Sequence, residues 1–319
     1  RHANVGPDTP TYYMFFENLK TESWKNLFSN YYNAYVLGVN RDPSFPLLVK
    51  PFTYLTNGWQ FFLLFASGIY FYALYRFLTR YIVSFSGLLL AFTFCISLFH
   101  IIPLSGIRQQ FTMAIAMLLP PLIEKNKRIK YFVIVLVGST IHTSLLFALP
   151  LYFLYHYLCK TVKNAKKFVI LSFLCMPVVT FGAKGILKYL VSFSYNEYYA
   201  GYIMDNSSGA FLYIIFFALI VFISIYYFDK VSLGRQRLFC SALMMISLTV
   251  PFIVVDGAMI RISQYFTIYA MLILPYIILR SNNQLIYYGI IGALLYLAFR
   301  SNFEYHFFWE DLVLNFEYK

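Results

Sequence analysis

The chain has 319 residues, of which 60% are hydrophobic, 21% aromatic and only 12% charged, and its formal net charge is +12. Ordinary soluble domains carry roughly 25% charged residues, so a soluble fold of this size, which could not cover its own surface, is excluded. The apolar residues fall into runs near the roughly 20 residues that a helix needs to cross about 30 Å of hydrocarbon. Backbone groups in lipid must pair internally, and the alternating ten-residue pattern of a barrel is missing, so the expected fold is all-α: a polytopic transmembrane helical bundle with about 9–10 spans or re-entrant helices.

In chain order, residues 1–58 are polar and aromatic, with breakers at Pro7, Pro10, Pro43, Pro46 and Pro51. This stretch reads as an extracytoplasmic (periplasmic) loop segment with short helices at most. A multi-span helical domain is expected over 59–300. Its apolar runs lie at about 59–78, 81–102, 107–123, 131–158, 168–183, 211–228, 238–255, 262–279 and 284–300, with a Tyr-rich loop at 184–210. An aromatic, acidic C-terminal tail follows at 301–319. Cys95, Cys159, Cys175 and Cys240 have no ligand spacing and read as small apolar packing residues.

Basic residues stay on the cytoplasmic side of a membrane. The connections at 76–80, 124–130, 159–167, 229–237 and 280–283 hold 14 of the 25 Lys and Arg but only 2 of the 13 acidic residues, so all should face the cytoplasm. The excess charge is therefore topology rather than a nucleic-acid surface. If every apolar run spanned once, 124–130 and 159–167 would lie on opposite faces. The conflict disappears if 131–158 enters and returns as two short helices, bending near Gly138, Ser139 and Thr140 and leaving His142 near the bend.

That orientation places Arg108 and Arg261 on the outer side, each opening an apolar helix. A guanidinium there adds to the positive end of the helix dipole and suits an anion such as a phosphate, and charges this close to hydrocarbon are functional candidates. The plainer reading is an interface anchor or an ion pair, such as Arg261 with Asp256. Histidine is the side chain suited to accept a proton near neutral pH, although a lone His142 in an apolar run can equally be a packed, hydrogen-bonded residue. Asp8 lies in Val5-Gly6-Pro7-Asp8-Thr9-Pro10, where it can simply stabilise a turn. His2, His100, His156 and His306 are scattered without ligand spacing, no acidic pair stands at metal-binding spacing and no Gly-rich phosphate loop precedes a helix, so neither a metal nor a cofactor is expected.

Taken in order, the motifs resemble the EpsG-like family of polysaccharide polymerases, related in role to the Wzy O-antigen polymerases of bacteria. The resemblance rests on Arg1 with Val5-Gly6-Pro7-Asp8-Thr9 and Tyr12, then Asp42-Pro43-Ser44-Phe45-Pro46-Leu47-Leu48. It continues through Gly106-Ile107-Arg108-Gln109-Gln110 with Ala114 and Ala116, Ile141-His142-Thr143-Ser144, and Arg261 with Tyr265-Phe266 and Leu274-Pro275. In that family a transmembrane helix usually precedes the Asp8-type loop. Here the sequence starts at Arg1 in what reads as a loop, so a preceding helix is expected.

The resemblance implies a multi-pass enzyme of the bacterial inner membrane. It would move a growing glycan from undecaprenyl diphosphate onto the end of another lipid-linked repeat unit at the outer face, in O-antigen or another surface polysaccharide, without a metal. Its implied partners are the undecaprenyl-diphosphate-linked donor and acceptor, membrane lipid, and a chain-length regulator and a flippase of the same pathway. Arg108 and Arg261 would stabilise the departing diphosphate. His142 or Asp8 can supply the base; His142 is preferred, with Arg1, Asp8, Tyr12, Gln109 and Tyr265 binding substrate. The competing functions are a lipid-linked glycan transporter or flippase, and a surface-polysaccharide ligase or acyltransferase.

Overall fold

The structure, a computed structural model, describes residues 8–36, 42–99, 102, 106–192, 210–227, 233–255, 259–281 and 284–301. Within them every secondary-structure element is helical. Arg1, Pro103–Ser105, Asp256 and the tail after Ser301 lie outside the described residues.

The described residues of the 1–58 segment hold three α-helices, α1 (Thr9–Thr21), α2 (Trp24–Val36) and α3 (Ser44–Val49), the last running into a 3₁₀ turn at Lys50–Tyr54. Pro10 falls in the first turn of α1, where a missing N–H removes no helical bond. Lys50, although buried, closes the other end, placing Nζ 2.6 Å from the Leu19 carbonyl and 3.3 Å from that of Lys20. A cation at a helix C-terminus satisfies carbonyls that lack helical partners. Phe16, Leu19, Leu27, Phe45 and Val49 from this segment share one apolar cluster with Trp59, Phe62 and Ala66 and with Ile107 and Phe111. The N-terminal helices are thus packed onto the membrane helices that carry those residues.

Helix α4 (Gly58–Tyr81) begins against that cluster. Only glycine fits its first position, since a Cβ on Gly58 would lie 1.9 Å from the Phe52 carbonyl oxygen, a backbone atom that cannot swing aside. After α5 (Phe85–Leu98) come α6 (Ile107–Leu118), the short α7 (Pro120–Glu124), and α8 (Arg128–Ser139). A return path follows through a 3₁₀ turn at Thr143–Ala148, α9 (Leu149–Phe153) and a π-helical turn at Leu154–Leu158. Helices α10 (Val162–Ser192), α11 (Ala210–Tyr227), α12 (Leu233–Thr249), α13 (Ile260–Thr267), α14 (Ala270–Ser281) and α15 (Gln284–Ser301) complete the bundle.

Each apolar run read from the sequence is helical over most of its described residues, but the runs are not equal. Gly58–Tyr81, Lys163–Ala183, Ala210–Tyr227 and Arg235–Val254 are long and apolar enough to cross a membrane; a fifth span results if α13 and α14, bent by 46°, are counted together. The bend carries i→i+3 backbone bonds, Tyr269 N–H to the Phe266 carbonyl and Met271 N–H to that of Ile268, the tighter winding that breaks a straight α-helix. Phe85–Leu98, Thr143–Leu158 and Gln284–Tyr296 are apolar but shorter. The loop expected at 184–210 starts later than its composition indicated, because α10 continues to Ser192; residues 193–209 lie outside the described residues.

Residues 131–158 do not form one span. Helix α8 stops at Ser139, and its Thr140 N–H already bonds the Val137 carbonyl at 3.2 Å. The chain then doubles back along itself. Tyr131 donates to the Ala148 carbonyl, its ring packs 5.2 Å from that of Tyr152, and Tyr152 bonds Asn126. His156 Nε2 comes within 2.9 Å of the Ile123 carbonyl. Gly138 lets the arms close: a Cβ there would meet Leu145 Cδ2 at 2.5 Å and Ile115 Cδ1 at 2.9 Å.

The hairpin brings the basic connections to one end of the bundle. Arg80 pairs with Glu124 at 2.7 Å, and Arg237 donates to the Tyr155 and Cys159 carbonyls at 2.8 and 3.1 Å. The first residues of α6 and the tip of the hairpin lie at the other end, since 16 residues of helix from Arg108 to Glu124 span about 24 Å.

Candidate functional site

The site forms where the hairpin tip, the start of α6 and the N-terminal helices meet. Residues 42–44 are fastened to the tip: Ser44 N–H donates to the Thr140 carbonyl at 2.9 Å, and the hydroxyls of Ser44 and Thr140 are 2.6 Å apart. Asp42 itself has φ 55°, in the left-handed region that non-glycine residues seldom enter and that Asp tolerates better than most. This backbone turns its carboxylate inward, where Asp42 is 5% exposed.

Four donors converge on that carboxylate. Oδ2 accepts from Arg108 Nη1 at 3.0 Å and from His142 Nδ1 at 2.9 Å, while Oδ1 accepts from the Thr143 N–H at 2.9 Å and its hydroxyl at 3.0 Å. Burial on its own would raise the Asp42 pKa. The His142 hydrogen bond and charge, the Thr143 N–H and the Arg108 charge outweigh burial and hold it below its ordinary 3.8. An ionised carboxylate only accepts, so His142 must carry its proton on Nδ1; when the ring is neutral, Nε2 holds a lone pair. The ring is 22% exposed.

Arg108 opens α6 as the sequence indicates. Its Nε points to the Tyr12 hydroxyl at 3.3 Å, and its guanidinium lies over the rings of Tyr12 and Phe45 at 5.5 and 5.6 Å from their centroids. Planar stacking and a fork of donors hold arginine at such a place in a way lysine does not match. The side chain remains 39% exposed, so it keeps an accessible face.

Arg261 opens α13, and its Nη2 pairs with Asp8 at 3.1 Å, both side chains being well exposed. Asp8 sits at the N-cap position of α1 but makes no side-chain cap there. Asp8 and Tyr12 are one helical turn apart, so a single face of α1 meets both guanidinium groups. Gln109 and Tyr265 are buried, and their polar atoms bond the protein. Gln109 Nε2 donates to Gln264 at 2.6 Å and to the Arg261 carbonyl at 3.2 Å, and the Tyr265 hydroxyl lies 2.7 Å from those of Thr112 and Ser144. These bonds tie α6, α13 and the hairpin to one another beneath the site.

A family model decides what this set of motifs belongs to: that of the EpsG family matches residues 1–318. The chain belongs to the EpsG family. No curated protein and no solved structure gives a significant match.

Of the residues that sequence reasoning proposed for this EpsG-family chain, the structure gathers Arg108, His142, Tyr12, Asp8 and Arg261 at one end of the bundle, with Gln109 and Tyr265 packed beneath. Arg1 lies outside the described residues. Sequence reasoning assigned no role to Asp42 or Thr143, although both stand inside quoted motifs. The available signal was an acidic residue directly before a proline, in a segment facing the same side as His142. Among the described residues no three His, Cys, Asp or Glu side chains cluster as a metal site would require.

Proposed function

We propose that this EpsG-family chain is a membrane-embedded glycosyltransferase that extends a surface polysaccharide from lipid-diphosphate-linked repeat units at the outer face of the bacterial inner membrane. The observation that carries this reading is the Asp42 carboxylate holding His142 on one side and Arg108 on the other, at the end of the bundle away from the basic connections.

In this reaction His142 Nε2 takes the proton of the acceptor hydroxyl as that oxygen attacks the anomeric carbon of the donor. The bond between the anomeric carbon and the diphosphate oxygen breaks, and the diphosphate leaves with the electron pair. Asp42 fixes the ring and offsets the charge of the imidazolium. Arg108, assisted by Arg261, meets the negative charge that develops on the leaving group. Tyr12 orients Arg108 through stacking, and Asp8 orients Arg261. Gln109 and Tyr265 keep the three contributing elements in register.

The test is genetic. Deleting the gene in its native host should leave a single repeat unit on the carrier or lipid core, and the wild-type gene should restore a ladder on a polysaccharide gel. Arg108→Ala and His142→Ala proteins, present at normal levels, should stay at one unit. A ladder that persists in the deletion strain, or a loss of all surface sugar, would overturn the proposal in favour of side-group modification or transport.

A further inference from the structure

A cleft of about 300 Å³ opens between α1, α2 and the start of α3. Its lining includes Phe15, Asn18 and Glu22 of α1, Asn30 and Tyr31 of α2, and Pro43, the residue bonded to Asp42. One stripe of α1, running through residues 8, 12, 15, 19 and 22 at alternating spacings of four and three, connects it to the site. The stripe begins at Asp8 against Arg261, passes Tyr12 against Arg108, and continues with Phe15, whose ring stacks on Phe45 at 5.7 Å with 23° between planes. From Tyr12 to Glu22 it covers about 15 Å.

The chemistry changes along that stripe. At the site end two guanidinium groups face outward, whereas among the described residues lining the cleft none is Lys or Arg and the one carboxylate is that of Glu22. Two carboxamides and a carboxylate offer donors and acceptors at the rim, while Phe15, Tyr31 and Pro43 give apolar faces between them. A diphosphate finds no guanidinium or ammonium partner among these described residues. A sugar chain matches, since its hydroxyls both donate and accept and its C–H faces lie flat on rings.

We infer that this cleft is a saccharide subsite that holds an uncharged, hydroxyl-rich stretch of the glycan next to the reacting end. The inference rests on the proposed polymerase reading and specifies where the sugars, as opposed to the diphosphate, are gripped.

The test uses the full chain purified in detergent. The probe is short oligosaccharide released by mild acid from the surface polysaccharide of the native host, with binding followed by calorimetry. Wild type and His142→Ala should bind it equally. The triple variant Asn18→Ala/Asn30→Ala/Glu22→Ala should bind at least tenfold more weakly, and inorganic pyrophosphate should not compete. Asn18 and Asn30 are exposed, so their loss leaves the packing intact. In cells the triple variant, at normal protein level, should give a ladder shifted to short chains. No binding by wild type, equal binding by the triple variant, or displacement by pyrophosphate would overturn the subsite. A His142→Ala strain with normal chain extension, alongside cleft-dependent binding, would instead sink the proposed reaction and leave the subsite standing.

Discussion

His142 Nδ1 lies 2.9 Å from Asp42 Oδ2, across one hundred residues of sequence. This contact fixes which nitrogen is available for chemistry, and it makes Asp42→Asn an informative change. A carboxamide can still accept from Thr143 through its oxygen, but its NH₂ then faces His142 Nδ1. The ring must move its proton to Nε2 and loses the lone pair that a base needs. General-base catalysis contributes roughly 10²–10⁴-fold, so Asp42→Asn should slow extension in a membrane assay by about 10²-fold or more, matching His142→Ala. An Asp42→Asn protein that extends chains at close to the wild-type rate would remove the dyad from the mechanism.

The two arginines should respond unequally. Arg108 is held by Asp42, the Tyr12 hydroxyl and two ring faces, whereas Arg261 meets Asp8 in an exposed pair of the kind worth about 0–1 kcal/mol. Losing a preorganised donor to a developing anion costs roughly 10²–10³ in rate. Arg108→Ala should therefore fall by about that much. Arg108→Lys should recover little of it, because an ammonium reproduces neither the fork nor the stacking. Arg261→Lys should stay within about tenfold of wild type, since an exposed point charge serves nearly as well there. Initial extension rates with equal amounts of each protein decide the matter; full rescue by Arg108→Lys would show that charge alone matters at that position.

Much of this arrangement was legible in the sequence, and the exceptions have physical reasons. Run length and charge placement gave the helical bundle, and the parity of the basic connections gave the hairpin with its bend near Gly138, because both signals are local and additive. Span by span the reading was too uniform: hydropathy does not register that α13 and α14 part at a 3₁₀ turn, or that α10 runs on through a tyrosine-rich stretch to Ser192. At the site, Arg108 and Arg261 announced themselves as charges beside apolar helices. Asp42 did not, since its importance lies in a buried carboxylate that meets residues 66 and 100 positions away, and only tertiary packing creates that environment. Gln109 entered through the Gly106-Ile107-Arg108-Gln109-Gln110 motif of the resemblance, and the sequence does not show that its amide donates to Gln264 and the Arg261 carbonyl.

Asp42 also sets an acid limit on the fold. Its folded pKa lies below the ordinary 3.8, so its partners favour folding while the carboxylate is ionised. That contribution is fully present above the unfolded value and is lost as the pH falls through the lowered folded value. The difference in apparent unfolding temperature between wild type and Asp42→Asn, measured in detergent, should not shrink between about pH 7 and about pH 5 and should fall away only below pH 3.8. A difference that already shrinks between pH 7 and pH 5 would mean that the carboxylate is protonated more easily than its four donors allow.

The hairpin makes the sharpest demand on topology. Tyr131, Tyr152, Asn126, His156 and Ile123 join the two arms at their base, so the connections around Lys127 and Lys163 must leave the bundle at the same end, while Thr140 and Ser44 meet at the other. In a background lacking Cys95, Cys159, Cys175 and Cys240, a cysteine at Lys127 and one at Lys163 should react with a membrane-impermeant maleimide only when the cytoplasmic side is opened. A cysteine at Ser139, next to the bend, should react from the outside. A single membrane crossing by 131–158 would instead place Lys127 and Lys163 on opposite sides, and with them the basic connections that otherwise share one end. His142 would then lose its place beside Asp42, because the bonds from Ser44 to Thr140 and from Asp42 to His142 and Thr143 all depend on the tip lying at that end. Labelling of Lys127→Cys and Lys163→Cys from opposite sides would therefore undo the site together with the hairpin.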